Sequence, residues 1–481
     1  MQPRTIKTPP AAKRLIESLR DLGYECKTAI ADLLDNSISA GATKIHVSIE
    51  GTDSDRPYIV ISDNGEGMDR ESLIEAMRFG AEQNYSDEDL GKFGLGLKTA
   101  SLSQCRNLTV ASKPKPTSGK KSRRNIMRWD LDHIYKKNDW DLQIIEDQNL
   151  TPEEIEIIDK HLPEKCGTVV IWQDMKEAHP GLYYKDENKK QKNLGQLLGD
   201  IEGHLAMVFH RFMQGSVSRR PKLTIYLQGN PLEPWDPFCI SEDNTESIHP
   251  ETGEINDSTG KGKITITPYI LPKEKSFSSQ EKWKKAAGPR GWNLQQGFYF
   301  YRNGRLLQAG GWSYMRKPDE HTKLLRIAID FPANLDKAFQ VNVTKMKSKI
   351  PDQIWNDLKD FTADWAQQAR TVYGEKSNKS QKQAKEKFIP KPDQKMGPLT
   401  VSISNTGSST IAASLSGKDV KIIVPFKHPI ASVITQKSGR PNEQRNFLLA
   451  LLSLLEAVYE GKLPPKKIPL ESIKKQIMKL V

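Results

Sequence analysis

Leu15, Leu19 and Leu22 fall on one face of a helical repeat, so the spacing predicts a helix over residues 11–26. The run AIADLLDNSISA predicts a second helix over 28–40 that stops at Gly41. Alternation in KIHVSIE (44–50) predicts a strand, and YIVISDNG (58–65) a strand that runs into a turn. RESLIEAMRFG (70–80) reads as a helix with a glycine stop, the polar segment 81–94 as a loop, and GLGLKTAS as the start of a further helix. Strands at 107–112, 125–131 and 167–173 complete an α/β sandwich reaching about residue 215. A second α/β region opens with KLTIYLQGNPLEP (222–234) and holds the strand-like GKITITPYIL, GFYFYRNGRLL and LLRIAIDFP. An amphipathic helix over 350–370 closes it. Residues 374–397 are rich in lysine and glutamine and poor in apolar residues, the composition of a linker. The C-terminal part offers a strand in KDVKIIVPF and a helix from about 442 to 460.

Composition changes this picture little. Apolar residues make up 36% of the 481, enough for a core in each region, and no run approaches a membrane span. The longest, FLLALLSLL (447–455), fits a buried helix, and MQPRTIKTPP lacks the apolar stretch of a signal peptide. Four widely spaced cysteines without a CxxC pair suit a reducing, cytoplasmic compartment. The net charge of +12 points to a polyanionic partner such as nucleic acid, although lysine also serves simply to solubilise. SKPKPTSGKKSRR (112–124) carries six basic residues and no acid; it reads as a solvated hairpin loop or as a phosphate-backbone contact.

Three short motifs carry candidate chemistry. Asp32 and Asn36 stand four apart on the second helix and share a face. An amide oxygen there can coordinate Mg2+, and a carboxylate can orient and deprotonate a water. A solvated helix face would give the same pattern. SDNGEGM (62–68) ends a strand with glycines that let the backbone bend close to a ligand, and Asp63 can accept from an exocyclic amine; an ordinary Asx turn would also fit. GKFGLGLKTAS (91–101) is a glycine-rich loop opening a helix, whose free N–H groups and Lys98 suit phosphate; it lacks the Walker spacing.

Taken in order and spacing, ADLLDNSISAGATKIHVSI, ISDNGEGM and GKFGLGLKTAS resemble the GHKL ATPases, most closely the MutL and MORC branches. The resemblance implies a Bergerat α/β sandwich ATPase domain (1–215), a transducer-like β-α-β domain (216–372), a lysine-rich linker (373–398) and a small C-terminal interaction domain (399–481). It implies ATP and Mg2+ as ligands, with Asn36 on the metal and Asp63 reading the adenine amine. Gly65 and Gly67 would form the turn beneath the base, with Met68 packed on it. Gly94, Leu95, Gly96, Leu97, Lys98 and Thr99 would form the phosphate-binding end of a lid spanning residues 80–93, and Thr168 in CGTVVIW would join the aspartate–adenine network. The usual general base of the family is a glutamate; here Asp32 occupies that position, one methylene shorter, which is compatible with slow turnover. Asp35, turned about 100° from Asn36 on the helix, is expected to be structural. In FQVNVTKMKSKIP (339–351), Lys345 is the expected lysine reaching the γ-phosphate, ahead of Lys347 and Lys349. Asn303–Gly304 in the second region predicts a tight hairpin turn.

The expected function is therefore an ATP-gated homodimeric clamp acting on DNA, in repair or restriction-type defence, with any nuclease supplied by a partner protein. A chaperone of the large heat-shock type, with a protein client, is the alternative. A histidine kinase is not expected, because the roughly 28 residues before the first motif hold no histidine. Neither a topoisomerase cleavage domain nor a MutL-type endonuclease motif is expected.

Overall fold

The computed structural model describes residues 5–6, 8, 10–21, 23–54, 56–80, 90, 96–116, 122–341, 348–374, 399–404, 412–416 and 419–425. The chain divides into two compact units, Met1–Glu375 and Lys376–Val481. The larger holds two sheets.

The first sheet has eight strands: β1 (Lys44–Glu50), β2 (Tyr58–Asp63), β3 (Asn107–Lys113), β4 (Asn125–Asp130), β5 (Gln143–Ile145), β6 (Gly167–Gln173), β7 (Thr224–Leu227) and β8 (Asn230–Pro231), in the order β5-β4-β3-β6-β2-β1-β7-β8. Its helices are α1 (Ala12–Arg20), α2 (Cys26–Ser39), α3 (Arg70–Met77), α4 (Gly96–Gln104), α5 (Leu131–Lys137), α6 (Pro152–His161), α7 (Glu187–Val208) and α8 (His210–Gln214). Strand β6 shows why the sheet is buried on both faces. Val170 and Trp172 join the main core with α1, α2, α4 and α7, whereas Val169 and Ile171 pack with Ile157 and Ile158 of α6.

KLTIYL, expected to open the second region, instead joins this sheet: β7 runs parallel to β1, with Ile225 opposite Ile45. The alternation was sufficient to announce a strand but not to choose its sheet. That choice is made by α7 and α8, which carry the chain back to the β1 edge.

The second sheet comprises β9 (Glu246–Ser247), β10 (Glu251–Asp257), β11 (Gly260–Ile270), β12 (Gly297–Arg302), β13 (Arg305–Ala309) and β14 (Leu325–Phe331), in the order β10-β11-β14-β12-β13 with β9 paired to β11. Two short helices, α9 (Gln280–Ala286) and α10 (Gly291–Gln295), precede β12, and α11 (Asp352–Gly374) follows. Helix α11 buries Ile354, Leu358, Trp365, Ala366 and Ala369 against one face of this sheet. The other face, through Tyr299, Tyr301 and Leu306, packs on Trp235, Phe238 and Ala206 of α7. Helices α7 and α8 thus join the two sheets: the His210 imidazole bonds the Tyr301 hydroxyl at 2.9 Å, and Arg211 pairs with Asp330. In the smaller unit, β15 (Leu399–Ser404), β16 (Ala412–Ser416) and β17 (Asp419–Pro425) form a three-stranded sheet, so KDVKIIVPF is a strand. The expected linker and the helix at 442–460 lie outside the described residues.

Candidate nucleotide site

Helix α2 is held on nearly every side, packed on β2, α4 and α7. Its C-terminus closes with Gly41 in the left-handed region (φ 73°), Gly41 N–H donating to Ile38 O and Ala42 N–H to Ser37 O. These two hydrogen bonds form the Schellman arrangement that glycine permits. Within the helix, Asp32 and Asp35 are buried at 3% and 0% exposure, yet Asn36 is exposed. One face therefore carries a buried acid one turn from an accessible amide.

Strand β2 delivers Asp63 beside that helix. Its Oδ2 accepts from Ser37 Oγ at 2.8 Å and its Oδ1 from the Gly65 N–H at 2.9 Å. Burial pushes the Asp63 carboxyl above its ordinary range, against the pull of hydrogen bonds from Gly65, Ser37 and the Thr168 backbone. Asp63 stands opposite Thr168 in the β2–β6 ladder. The Thr168 hydroxyl shares a 2.8 Å hydrogen bond with Ser112 Oγ, which accepts from the Met68 N–H at 2.9 Å. Ser112 was not singled out from the sequence, where it reads as one more polar residue at the end of a strand. Met68 is half-buried and packs against the main core.

The turn after Asp63 leaves no room for a side chain at either of its glycines. Gly67 has φ 66°, and a Cβ there would lie 1.9 Å from Lys113 O; a Cβ on Gly65 would lie 2.9 Å from Ala40 O. Gly96 is different, with nothing within 4 Å of its Cβ position.

Helix α4 begins at Gly96 and places Thr99, 2% exposed, beside Tyr24, which precedes α2 and lies beside Asp32. Burial, then the Asp32 charge, push the Tyr24 phenol above its usual range. Leu97 is half-buried against the main core. Lys98 is 2% exposed, and its Nζ donates to the Ala76 carbonyl at 2.9 Å. In this structure its ammonium thus serves the end of α3, and burial lowers its pKa to about 8. Gly94, Leu95, Lys345, Lys347 and most of the 80–93 segment lie outside the described residues; Lys349 is exposed and outside any strand.

The sequence reading missed two arginines of the β12–β13 hairpin. Arg305 Nε donates to Asp35 Oδ1 at 2.7 Å, and another of its nitrogens stands 3.6 Å from Asp32 Oδ1. Arg302 pairs with Asp336 at 2.8 Å and donates to the Leu90 carbonyl at 3.1 Å. An arginine beside an Asn-Gly turn ordinarily signals a solvated tip; only the joining of the two sheets buries these. Asp35, expected to be structural, is fully buried and paired with Arg305.

A helix with buried acid and exposed amide, an aspartate over a glycine turn, and a glycine-led helix lie together on one sheet, the arrangement a nucleotide-binding sandwich would need. Residues 24–168 match the family described as "Histidine kinase-, DNA gyrase B-, and HSP90-like ATPase", and this part of the chain is a GHKL-type ATPase domain of the Bergerat fold. Its relatives are of the MutL and MORC kinds. "DNA mismatch repair protein MutL" of Thermosipho africanus (strain TCF52B) is 33% identical over 90 residues, 18% of this chain and 16% of that protein. "Protein MICRORCHIDIA 1" of Arabidopsis thaliana is 33% identical over 102 residues, 20% of this chain and 16% of that protein. The matched stretch thus spans about one sixth of these relatives' length. A solved structure, "Crystal Structure of N terminal domain of a DNA repair protein", aligns with a TM-score of 0.40 and 14% identity over 73% of this chain and 98% of that one.

Proposed function

We propose that the chain is a Mg2+-dependent ATPase working as an ATP-gated clamp. Nucleotide binding pairs the N-terminal domains of two copies, hydrolysis releases them, and the client is DNA, in repair or in restriction-type, antiphage defence. Asp63 carries the nucleotide reading. It is a buried carboxylate already fixed by Ser37 and Gly65, and each oxygen retains acceptor capacity for an adenine amine. Met68 and the turn at Gly65 and Gly67 would lie against the base, with Thr168 buttressing Asp63 through the shared ladder position.

Among the described residues no group of three or more His, Cys, Asp or Glu could hold a metal. The accessible Asn36 amide fits Mg2+, which readily takes one protein ligand and completes its shell with phosphate oxygens and water. Bound there, Mg2+ would neutralise phosphate charge. Asp32, one turn earlier, takes the proton of the attacking water as its oxygen bonds to the γ-phosphorus and the bond to ADP breaks. Gly94, Leu95, Gly96, Leu97, Lys98 and Thr99 would flank the phosphates, and Lys345 would reach them from the second domain. The proposed order is an ATPase domain over about 1–215, to whose sheet β7 and β8 add, a transducer-like domain over 216–372, a linker over 373–398 and an interaction domain over 399–481.

The DNA reading rests on the net charge of +12, on the MutL-type name of a relative, and on a cleft of about 550 Å3 lined by Arg316, Lys317, Lys359 and Arg370, the last paired there with Asp319. The described part of the basic 112–124 stretch contributes less: Arg124 pairs with Asp147 and Asp159, and Lys113 bonds the Glu164 carbonyl. Among the described residues no helix is long and apolar enough to cross a membrane. The four cysteines are free, in keeping with a cytoplasmic setting, and a separate nuclease is the expected partner if DNA is cut. The test is ATP turnover with and without DNA at two salt concentrations. DNA-stimulated, salt-sensitive turnover supports the clamp; turnover indifferent to DNA at both salts removes DNA as the client.

A further inference from the structure

Between α11 and the segment after β13 lies the cleft of about 550 Å3. Arg316, Lys317, Lys359 and Arg370 line it against a single carboxylate, Asp319, which pairs with Arg370. Among its lining residues positive charge is in excess, and it is held in place. The Arg316 guanidinium lies 4.9 Å from the centroid of the Trp312 ring, and Trp312, 3% exposed, donates to Gln296 Oε1 at 3.1 Å. Gln296, itself buried, also accepts from the Asp319 N–H and donates to the Asp319 carbonyl, both at 3.2 Å. One buried amide therefore fixes both the ring against Arg316 and the acid beside Arg370. Burial, then the Arg370 charge, lower the Arg316 pKa, as expected of cations crowded together with too few acceptors.

Two polar atoms are left over. Arg316 Nε and Thr362 Oγ1 are buried with no hydrogen-bond partner among the described residues, and both residues line the cleft. Buried donors are ordinarily matched. Met315, Pro318 and Ala366 make the rest of the wall apolar. Apolar walls, a few convergent polar groups and this volume suit a small ligand of nucleotide size. The backbone leading into the cleft is strained. Gly310, Gly311, Ser313 and Tyr314 all have positive φ (67°, 88°, 46° and 67°), a region unfavourable for the serine and the tyrosine. This strained run holds Tyr314 fully exposed, next in the chain to the cleft residue Met315. An exposed ring together with convergent cations is the combination that takes a base and its phosphate.

We propose that this cleft is a second nucleotide site, which takes a nucleotide bearing a terminal phosphate monoester: the phosphate on Arg316, Lys317 and Lys359, the base on Tyr314. A monoester carries roughly 1.5 to 2 negative charges and an internal phosphodiester only one, so crowded cations in so small a volume favour the terminal group. Arg316, its plane set by Trp312, presents a guanidinium fork to the phosphate oxygens. The ligand is the phosphorylated end of a DNA strand or a free mononucleotide. The strand-end form rests on the DNA reading above, and neither form depends on the ATPase reading.

The test is fluorescence anisotropy with an internally labelled single strand phosphorylated at its 5′ end, at its 3′ end or at neither. A non-hydrolysable ATP analogue is kept in excess to occupy the first site, and calorimetry follows thymidine 5′-monophosphate under the same conditions. Wild type should favour one phosphorylated strand by about tenfold over the unphosphorylated one, and thymidine monophosphate should compete with it. Arg316→Gln should abolish the preference. Tyr314→Ala should weaken binding of the phosphorylated strand by about fivefold or more, and Tyr314→Phe should restore it. Melting temperature is the folding control for each variant. Thymidine monophosphate bound by wild type and lost in Arg316→Gln, with no strand bound, would support the site and remove DNA as the client. Equal binding of all three strands, with thymidine monophosphate unbound, would overturn the terminal-phosphate site and leave the DNA reading standing. A preference that survives in folded Arg316→Gln would overturn its assignment to this cleft. Binding of neither strand nor mononucleotide would overturn both.

Discussion

Replacing Asp63 by Asn is the change whose consequences the structure specifies most closely. Asp63 accepts internal hydrogen bonds from Gly65 N–H at 2.9 Å and Ser37 Oγ at 2.8 Å, beside the contribution of the Thr168 backbone. An asparagine can keep its oxygen on Gly65 and place its NH2 against Ser37. Ser37 can then turn its own proton to Leu33 O, already 3.3 Å away. No buried group is orphaned. Two charge-assisted bonds become neutral ones, a loss of roughly 1 kcal/mol each, partly offset because a buried charge is removed. The fold should thus lose no more than about 2 kcal/mol. Nucleotide binding should suffer differently. One acceptor oxygen becomes a donor, so an adenine amine meets an NH2 or competes for the oxygen held by Gly65. A lost bond to a charged acceptor is worth roughly 2–3 kcal/mol, a factor of about 30 to 150 in affinity. Calorimetric titration with a non-hydrolysable ATP analogue measures this, with melting temperature as the folding control. The GTP analogue should lose less, since guanine offers a carbonyl to the new NH2. Unchanged ATP affinity in a folded Asp63→Asn protein would refute the assignment of Asp63 to the base.

Other consequences follow from the same geometry. Gly67→Ala should cost roughly 1–2 kcal/mol for the left-handed backbone alone. Its Cβ, 1.9 Å from Lys113 O, should also displace the turn and weaken nucleotide binding, which the same titration reads. Lys98, with its pKa lowered to about 8 from 10.5, is neutral in the fold before it is neutral in the unfolded chain. The native state then binds fewer protons, so stability relative to Lys98→Met should rise between about pH 8 and 10.5, by up to about 3 kcal/mol, and stay flat below. Denaturant unfolding across that range checks the sign; a fall would contradict it. Asp63 has the opposite sign: its raised pKa contributes stability fully present below its unfolded value, near 3.8, and lost as pH rises through the folded one. Lys359→Glu with Arg370→Glu should weaken DNA binding and flatten its salt dependence by about one to two counterions while leaving analogue affinity unchanged; an unaltered salt slope would exclude this cleft as a phosphate contact.

Much of the candidate site was legible because its information is local. The i, i+4 pair Asp32 and Asn36, the Asp63 turn with its crowded glycines, and the Thr168 strand each declare themselves within a few residues, and the structure brings them together. The sequence likewise located β1, by alternation, and β2, β3, β4 and β6. What was not legible depends on chain segments meeting at a distance. The membership of β7 in the first sheet follows from its pairing with β1, and Ser112 matters only because β3 lies beside β6. Arg302 and Arg305 look like solvated residues flanking a turn until α7 draws the second sheet against the first. Lys98 reads as a phosphate ligand in its motif, yet its Nζ meets a carbonyl at the end of α3. The segment 131–161, with α5, β5 and α6, was not read as elements, although its Thr151–Glu154 capping box is a helix-start signal.

The central claim is that Asp32 activates the water that attacks ATP bound beside Asn36 and Asp63. Single-turnover hydrolysis of Mg2+-ATP by wild type and Asp32→Asn, each at saturating protein with affinity measured in parallel, tests it directly. The account predicts that the variant binds ATP within a few-fold of wild type and loses hydrolysis by about two orders of magnitude or more. Turnover in Asp32→Asn equal to wild type at full occupancy would contradict it.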